Sequence, residues 1–139
     1  MTAKPRRVVL DTNVLVSRVI LPGSQPARAA DHVALTCELL ISSAMIAELE
    51  AVFRRPKLDR YTNLETRLRY LWTLVELAKP ILVVSEISDC RDEKDNKLLA
   101  LALDGRGDTI VTGDQDLLCL HPWRGVAILS PADYLALRG

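Results

Sequence analysis

Two apolar runs that end directly in acids constrain this chain more than anything else in it. Val8-Val9-Leu10 runs into Asp11-Thr12-Asn13, and Thr109-Ile110-Val111-Thr112-Gly113 runs into Asp114-Gln115-Asp116. A short continuous run of aliphatic residues reads as a parallel strand buried on both faces, and an acid at its carboxyl end lies where open α/β sheets build their sites. An Asp at a strand exit can also start a turn or cap the next helix. Two such exits in one small chain favour a shared site, and carboxylates in a shared site point to metal chemistry.

At 139 residues there is room for one sheet and its covering helices, so a single domain over 1–139 is expected. The remaining pattern alternates strand and helix, which implies parallel strands joined by right-handed crossovers. Strands are expected at Arg7 to Leu10, Leu39 to Ile41, Ile81 to Val84 after Pro80, Thr109 to Thr112 and Val126 to Leu129. Helical pattern occupies Ala27 to Thr36, a stretch beginning near Ser43, a long segment after Pro56, Asp95 to Leu103 and a last turn from Pro131. In the long segment Leu64, Leu68, Leu71, Trp72, Val75 and Ala78 recur at helical spacing, a stripe for the core or for a dimer.

Composition narrows the function classes. Eighteen basic residues balance eighteen acidic ones, so nucleic-acid binding would rest on local patches such as Arg54-Arg55-Pro56-Lys57 or Lys4-Pro5-Arg6-Arg7. No apolar run approaches a membrane span and no signal segment is evident, so a cytoplasmic protein without membrane contact is expected. Cys37, Cys90 and Cys119 are odd in number and widely spaced, which suggests neither a disulfide framework nor a zinc site and reads as small core residues. His32 and His121 lack an evident acid–base partner and read as structural or exposed.

A helical wheel adds a third acid. Leu98, Leu99, Ala102 and Leu103 define an apolar arc with Asp95 near its centre, while Lys94, Lys97 and Asp104 fall outside it. Asp95 therefore faces the sheet, where an unpaired carboxylate costs several kcal/mol unless it meets a donor or a cation. Capping of the helix N-terminus explains Asp92 better than Asp95. In the preceding helix Glu48 and Glu50 flank opposite edges of the arc Met45, Ile46, Leu49, Val52 and Phe53, and the wheel alone cannot choose between them; Glu48 lies nearer the strand's carboxyl end.

If four carboxylates converge, two of them about 5 Å apart repel by roughly 3 kcal/mol at an effective dielectric near 20. Such a set must protonate or bind cations, and oxygen ligands without His or Cys favour Mg²⁺ or Mn²⁺.

On these residues the chain resembles PIN-domain ribonucleases, in their VapC-like toxin subgroup. The resemblance covers essentially the whole chain and rests on Val9 to Ser17, Glu48, Cys90-Arg91-Asp92-Glu93-Lys94-Asp95-Asn96-Lys97 with the following Leu98 to Ala100, and Ile110 to Leu118. It implies a three-layer α/β/α sandwich with a central parallel sheet of about five strands, and Mg²⁺- or Mn²⁺-dependent cleavage of RNA to 5′-phosphate and 3′-hydroxyl ends. By it, Asp11, Glu48, Asp95 and Asp114 correspond to the four principal catalytic and metal-binding acids. Asp116 and Asp92 correspond to auxiliary acids, Asp116 as a further metal ligand, and Thr112 and Asn13 to the polar groups that orient them. It also implies a homodimer and a small antitoxin partner that blocks the site. Asn96 departs from the subgroup, where another Asp is frequent, and Glu93 stands where Pro is frequent. A noncatalytic RNA- or protein-binding module using Arg54, Arg55, Lys57 and Arg60 is the alternative. A phosphotransferase built on Asp11 ranks below it, because Asn13 stands where a second Asp is expected and no partner lysine is evident.

Overall fold

The computed structural model describes residues 4–139. Five parallel strands form one sheet: β1 (Arg7–Leu10), β2 (Glu38–Ile41), β3 (Lys79–Pro80), β4 (Thr109–Val111) and β5 (Ala127–Leu129), in the order β3-β2-β1-β4-β5. Seven α-helices accompany them among the described residues: α1 (Thr12–Ile20), α2 (Gln25–Thr36), α3 (Ser43–Phe53), α4 (Leu64–Leu77), α5 (Asn96–Asp104), α6 (Gln115–Leu118) and α7 (Pro131–Arg138). The fold is the expected α/β sandwich.

The chain moves outward from β1 through β2 to β3, then crosses back to β4 and continues to β5. Right-handed crossovers therefore put the helices of the outward path on one face and α5 and α6 on the other. The order of strand addition reverses between the parallel neighbours β1 and β4, whose pairing sets Leu10 opposite Val111. A crevice opens outside the carboxyl ends at such a switch point. The Asp11 amide donates to the Val111 carbonyl at 3.0 Å and holds that crevice's two walls together.

The central strands have no exposed face: Val8, Val9, Leu10, Ile110 and Val111 are buried completely. Pro22 and Gly23 separate α1 from α2, whose first turn holds Pro26 and which Ser24 caps through the Ala27 amide. Gly105 ends α5 tight against β2, where a Cβ would fall 2.8 Å from Leu40 Cδ1.

Three local expectations change. The third strand is Lys79–Pro80 instead of Ile81 to Val84, since the Val84 and Ser85 amides donate to the Asp104 carboxylate at 2.7 and 2.8 Å instead of to a ladder. The Ser85 hydroxyl, followed by those two amides, holds the Asp104 carboxyl below the usual carboxylate range. The α4 stripe divides: Leu71 and Ala78 enter the core and Leu68 and Val75 pack against it, while Leu64 and Trp72 face outward, Trp72 at 47 % exposure. Of the cysteines only Cys90 is buried; Cys119 is exposed and none is paired. The histidines are structural, His32 bonding the buried Tyr134 hydroxyl and His121 Nδ1 accepting from the Ile128 amide.

One buried charge was not anticipated. Arg67, on α4 and 1 % exposed, donates to the Phe53 carbonyl at the end of α3 and to the Thr62 carbonyl, and pairs with Asp59 at 2.9 Å in the 3₁₀ turn Pro56–Arg60. One guanidinium thereby ties α3, the turn and α4 together.

Candidate metal centre

Each wall of the cleft follows from a strand exit. Asp11 leaves β1 and caps α1, its Oδ1 accepting from the Asn13 amide at 3.3 Å. Asp114 follows β4 and caps α6, its Oδ1 accepting from the Asp116 amide at 2.9 Å. Ser42 leaves β2 and caps α3, which carries Glu48 one and a half turns further on. Asp92 caps the 3₁₀ turn Glu93–Asp95 through the Lys94 amide, but the Asp95 side chain makes no cap bond. Capping and a shared site are thus compatible here, because a carboxylate has lone pairs to spare after accepting one N–H.

These residues converge on a cleft of about 280 Å³ lined by Asp11, Glu48, Asp92, Asp95 and Asp114 with Thr12, Asn13, Val52, Arg55, Lys94, Lys97 and Leu98. One carboxylate oxygen from each of Asp92, Asp95 and Asp114 lies within 4.8 Å of the others. Thr112 links the remaining acid to this trio. Its hydroxyl donates to Asp11 Oδ2 at 2.7 Å and accepts from the Asp114 amide at 3.0 Å, so one side chain sets both strand-exit acids. All four principal acids expected from the sequence line the cleft. Asp116 does not; it reaches the site through its backbone N–H to Asp114. Glu50 does not line it either.

Asp95 is the group under greatest stress. It is 8 % exposed, and its Oδ2 is buried without a hydrogen-bond partner. Burial, then a contact with Asp114 and the charges of Asp114, Asp11 and Asp92, push its carboxyl up to about 7 from an ordinary 3.8. Opposite it, Lys97 Nζ forms an ion pair with Glu48 Oε2, both side chains about one-third exposed. Burial draws the Lys97 ammonium below its ordinary range, and the Asp11 charge opposes that shift.

Asn96 has a reason of its own. It turns away from the cleft, its Oδ1 accepting from the Cys90 amide at 2.8 Å and its Nδ2 donating to the Cys90 carbonyl at 3.4 Å. A carboxylate there could accept but not donate, so the departure from Asp belongs to the loop and leaves the acid set intact.

The donor set is all oxygen, anionic and crowded, and it contains a buried carboxylate oxygen with nothing to bind. That fits a hard divalent cation held by Asp95, Asp114 and Asp92, with Asp11 oriented beside them. Sequence reasoning found Asp11 and Asp114 at strand exits and Asp95 on the wheel. It did not find Lys97, which the wheel placed outside the apolar arc: a long side chain can reach the cleft from there.

A PIN domain family model matches residues 7–116. An uncharacterized protein of Methanocaldococcus jannaschii is 32 % identical over 120 residues, covering 83 % of this chain and 75 % of that protein. Among solved structures, FitAcB from Neisseria gonorrhoeae matches with a TM-score of 0.57 and 20 % identity, over 90 % of this chain and 98 % of that one. PAE2754 from Pyrobaculum aerophilum gives 0.57 and 17 % identity over 95 % and 88 %. VapBC2 from Rickettsia felis, bound to a DNA fragment from its promoter, gives 0.54 and 15 % identity over 89 % and 98 %. With a family model spanning both strand-exit acids, Asp95 and the strands β1 to β4, the chain belongs to the PIN domain family.

Proposed function

We propose that this chain is a divalent-metal-dependent endoribonuclease that hydrolyses RNA phosphodiester bonds to 5′-phosphate and 3′-hydroxyl products, and the toxin of a toxin–antitoxin pair. One observation carries the reading: a buried carboxylate oxygen of Asp95 without a partner, crowded by Asp92 and Asp114 at the sheet's switch point. Burying unpaired carboxylates costs stability, and a cation offsets that cost. The family match agrees with it, since fold alone would not assign a reaction.

Asp11, Glu48, Asp95 and Asp114 are proposed as the principal acids, with Asp92 joining them on geometry and Asp116 supporting Asp114 through its backbone. Bound there, Mg²⁺ or Mn²⁺ supplies Lewis acidity at the phosphodiester and compensates the acids' charge. The chain's own residues do the rest. Thr112 fixes the Asp11 rotamer and holds the Asp114 backbone, Asn13 offers a polar side chain at the mouth, and Arg55 and Lys94 supply positive charge beside the acids for an RNA backbone. Arg54, Lys57 and Arg60 are exposed on the same α3 to 3₁₀ segment and extend that charge outward.

The likeness to chains in the VapBC2 and FitAcB structures supports an antitoxin partner, whose Arg or Lys would enter among the acids. Outward-facing Leu64 and Trp72 on α4 give a homodimer an apolar surface to use. The testing experiment is cleavage of a labelled single-stranded RNA panel by partner-free protein with Mg²⁺, Mn²⁺ or EDTA, beside folded Asp11→Asn and Asp95→Asn variants. Metal-dependent cutting lost in both variants is expected. RNA binding without cutting in any metal would transfer Arg54, Arg55, Lys57 and Arg60 to a noncatalytic binding module.

A further inference from the structure

The basic run Lys4-Pro5-Arg6-Arg7 has no part in the acid cleft, and the structure divides it. Pro5 biases Lys4 toward extended backbone, and residues two apart on an extended chain share a face. Arg7 accordingly goes to Glu38, while Lys4 and Arg6 line a cavity of about 400 Å³ with His32 and Thr36 from the end of α2, Cys37 before β2 and Arg138 at the end of α7. This cavity lies at the amino ends of β1 and β2, the opposite end of the sheet from the acids. The Glu38 amide donates to the Arg6 carbonyl at 2.7 Å and fixes the Arg6 backbone beside Cys37.

The charge of the cavity is one-sided. Three cations and a histidine line it without a carboxylate, and among the described residues Lys4, Arg6 and Arg138 have no ion-pair partner. Nearby acids are committed elsewhere: Glu38 to Arg7 and Lys79, Asp108 to the Arg7 amide and the Thr109 hydroxyl. The carboxyl ends of α2 and α7 bring roughly half a negative charge each, which three cations exceed by about two. The floor is ordered. Tyr134, fully buried, sets its hydroxyl 2.6 Å from His32 Nδ1 and 3.5 Å from Cys37 Sγ. Burial and then Cys37 hold this phenol above its ordinary range against the opposing charges of Arg138 and Arg6, so it keeps its proton. A phenol donating to Nδ1 puts the imidazole proton on Nε2 and leaves the ring a donor there.

We propose that this cavity is a phosphate-binding site, separate from the acid cleft, in which Lys4, Arg6 and Arg138 neutralise a phosphate dianion and the His32 ring donates to one of its oxygens. Guanidinium groups match phosphate oxygens with paired N–H donors, and the lysine adds a point charge. The same chemistry takes inorganic phosphate or the 5′-phosphate end of a nucleotide chain. The inference does not rest on the nuclease reading.

The test uses metal-free protein in EDTA, where the acids of the cleft repel anions. Amide ¹H–¹⁵N spectra follow a titration with inorganic phosphate at an ionic strength held constant with chloride. Saturable shifts are expected at Arg6, Thr36, Cys37 and Arg138, and none at Asp11, Asp95 and Asp114. Arg6→Gln combined with Arg138→Gln should weaken phosphate binding by about tenfold or more, and Lys4→Gln by about threefold. Circular dichroism of these variants should match wild type, because none of the three side chains fastens the fold through an ion pair. A 5′-phosphorylated RNA dinucleotide, followed at the same amides, separates the two sources. Binding roughly tenfold tighter than inorganic phosphate assigns a nucleotide end, and binding no tighter assigns the free anion. Shifts equally large with chloride alone, or phosphate shifts that survive the double substitution in folded protein, overturn the inference.

Discussion

Arg67 and Asp95 are both buried charges, and their surroundings are opposite. Arg67 meets two backbone carbonyls and the Asp59 carboxylate, whereas Asp95 keeps an oxygen without a donor and faces other acids. A buried charge with its partners in place is a fastening, and its removal harms the fold. A buried charge pressed against its own kind is a cost the fold tolerates for a ligand, and its removal should relieve the fold while destroying the function.

The largest expected effect is on the fastening. Arg67→Met strands the Phe53 and Thr62 carbonyls and should cost about 3–5 kcal/mol, seen as a drop of roughly 10 °C or more in Tm. Metal-dependent cleavage per folded molecule should not change. Next is Asp95→Asn, which should lower cleavage by about 100-fold or more and raise the stability of the metal-free protein at pH 8 by something on the order of 1 kcal/mol. The direction follows from linkage. Below pH 3.8 folded and unfolded chains both hold the Asp95 proton; between 3.8 and about 7 only the folded chain does, so stability falls as pH rises. Above about 7 the cost is fully present. Chemical denaturation of metal-free wild type at pH 5 and pH 8 should therefore favour pH 5 at this residue, and Asp95→Asn should flatten that contribution.

Much of this contrast is legible in the sequence on one side and hidden on the other. Asp11 and Asp114 are marked by apolar runs that stop at an acid, and Asp95 by its place in an apolar arc, because period and burial are what sequence patterns report. Glu48 over Glu50 rests mainly on family resemblance, with only its nearness to the strand's carboxyl end beside it, since both sit at arc edges and the choice depends on where α3 meets the sheet. Arg67 looks like its neighbours Arg60 and Arg69 in a run of charges; only the backbone carbonyls that α3 and the turn bring to it distinguish it. The misplaced third strand has the same origin. Ile81 to Val84 has strand composition, and Asp104, twenty residues away in sequence from Val84, captures the Val84 amide at its end and the Ser85 amide after it.

Smaller effects sharpen the comparison. Thr112→Val removes the hydroxyl shared by Asp11 and the Asp114 amide and should weaken Mn²⁺ binding by about tenfold, measured by calorimetry. Asn96→Asp loses the donor to the Cys90 carbonyl and should cost about 1 kcal/mol in denaturation, with Mn²⁺ affinity close to wild type because the side chain lies outside the cleft.

The central claim is that Asp95 is kept at a cost to the fold that a cation relieves, and thermal melting of wild type and Asp95→Asn at pH 8, with and without Mn²⁺, tests it most directly. Without metal the variant should melt higher; with saturating Mn²⁺ the order should reverse, because only wild type gains the full binding energy. A wild type that melts higher without metal, or a Mn²⁺ shift equal in both proteins, would contradict the account.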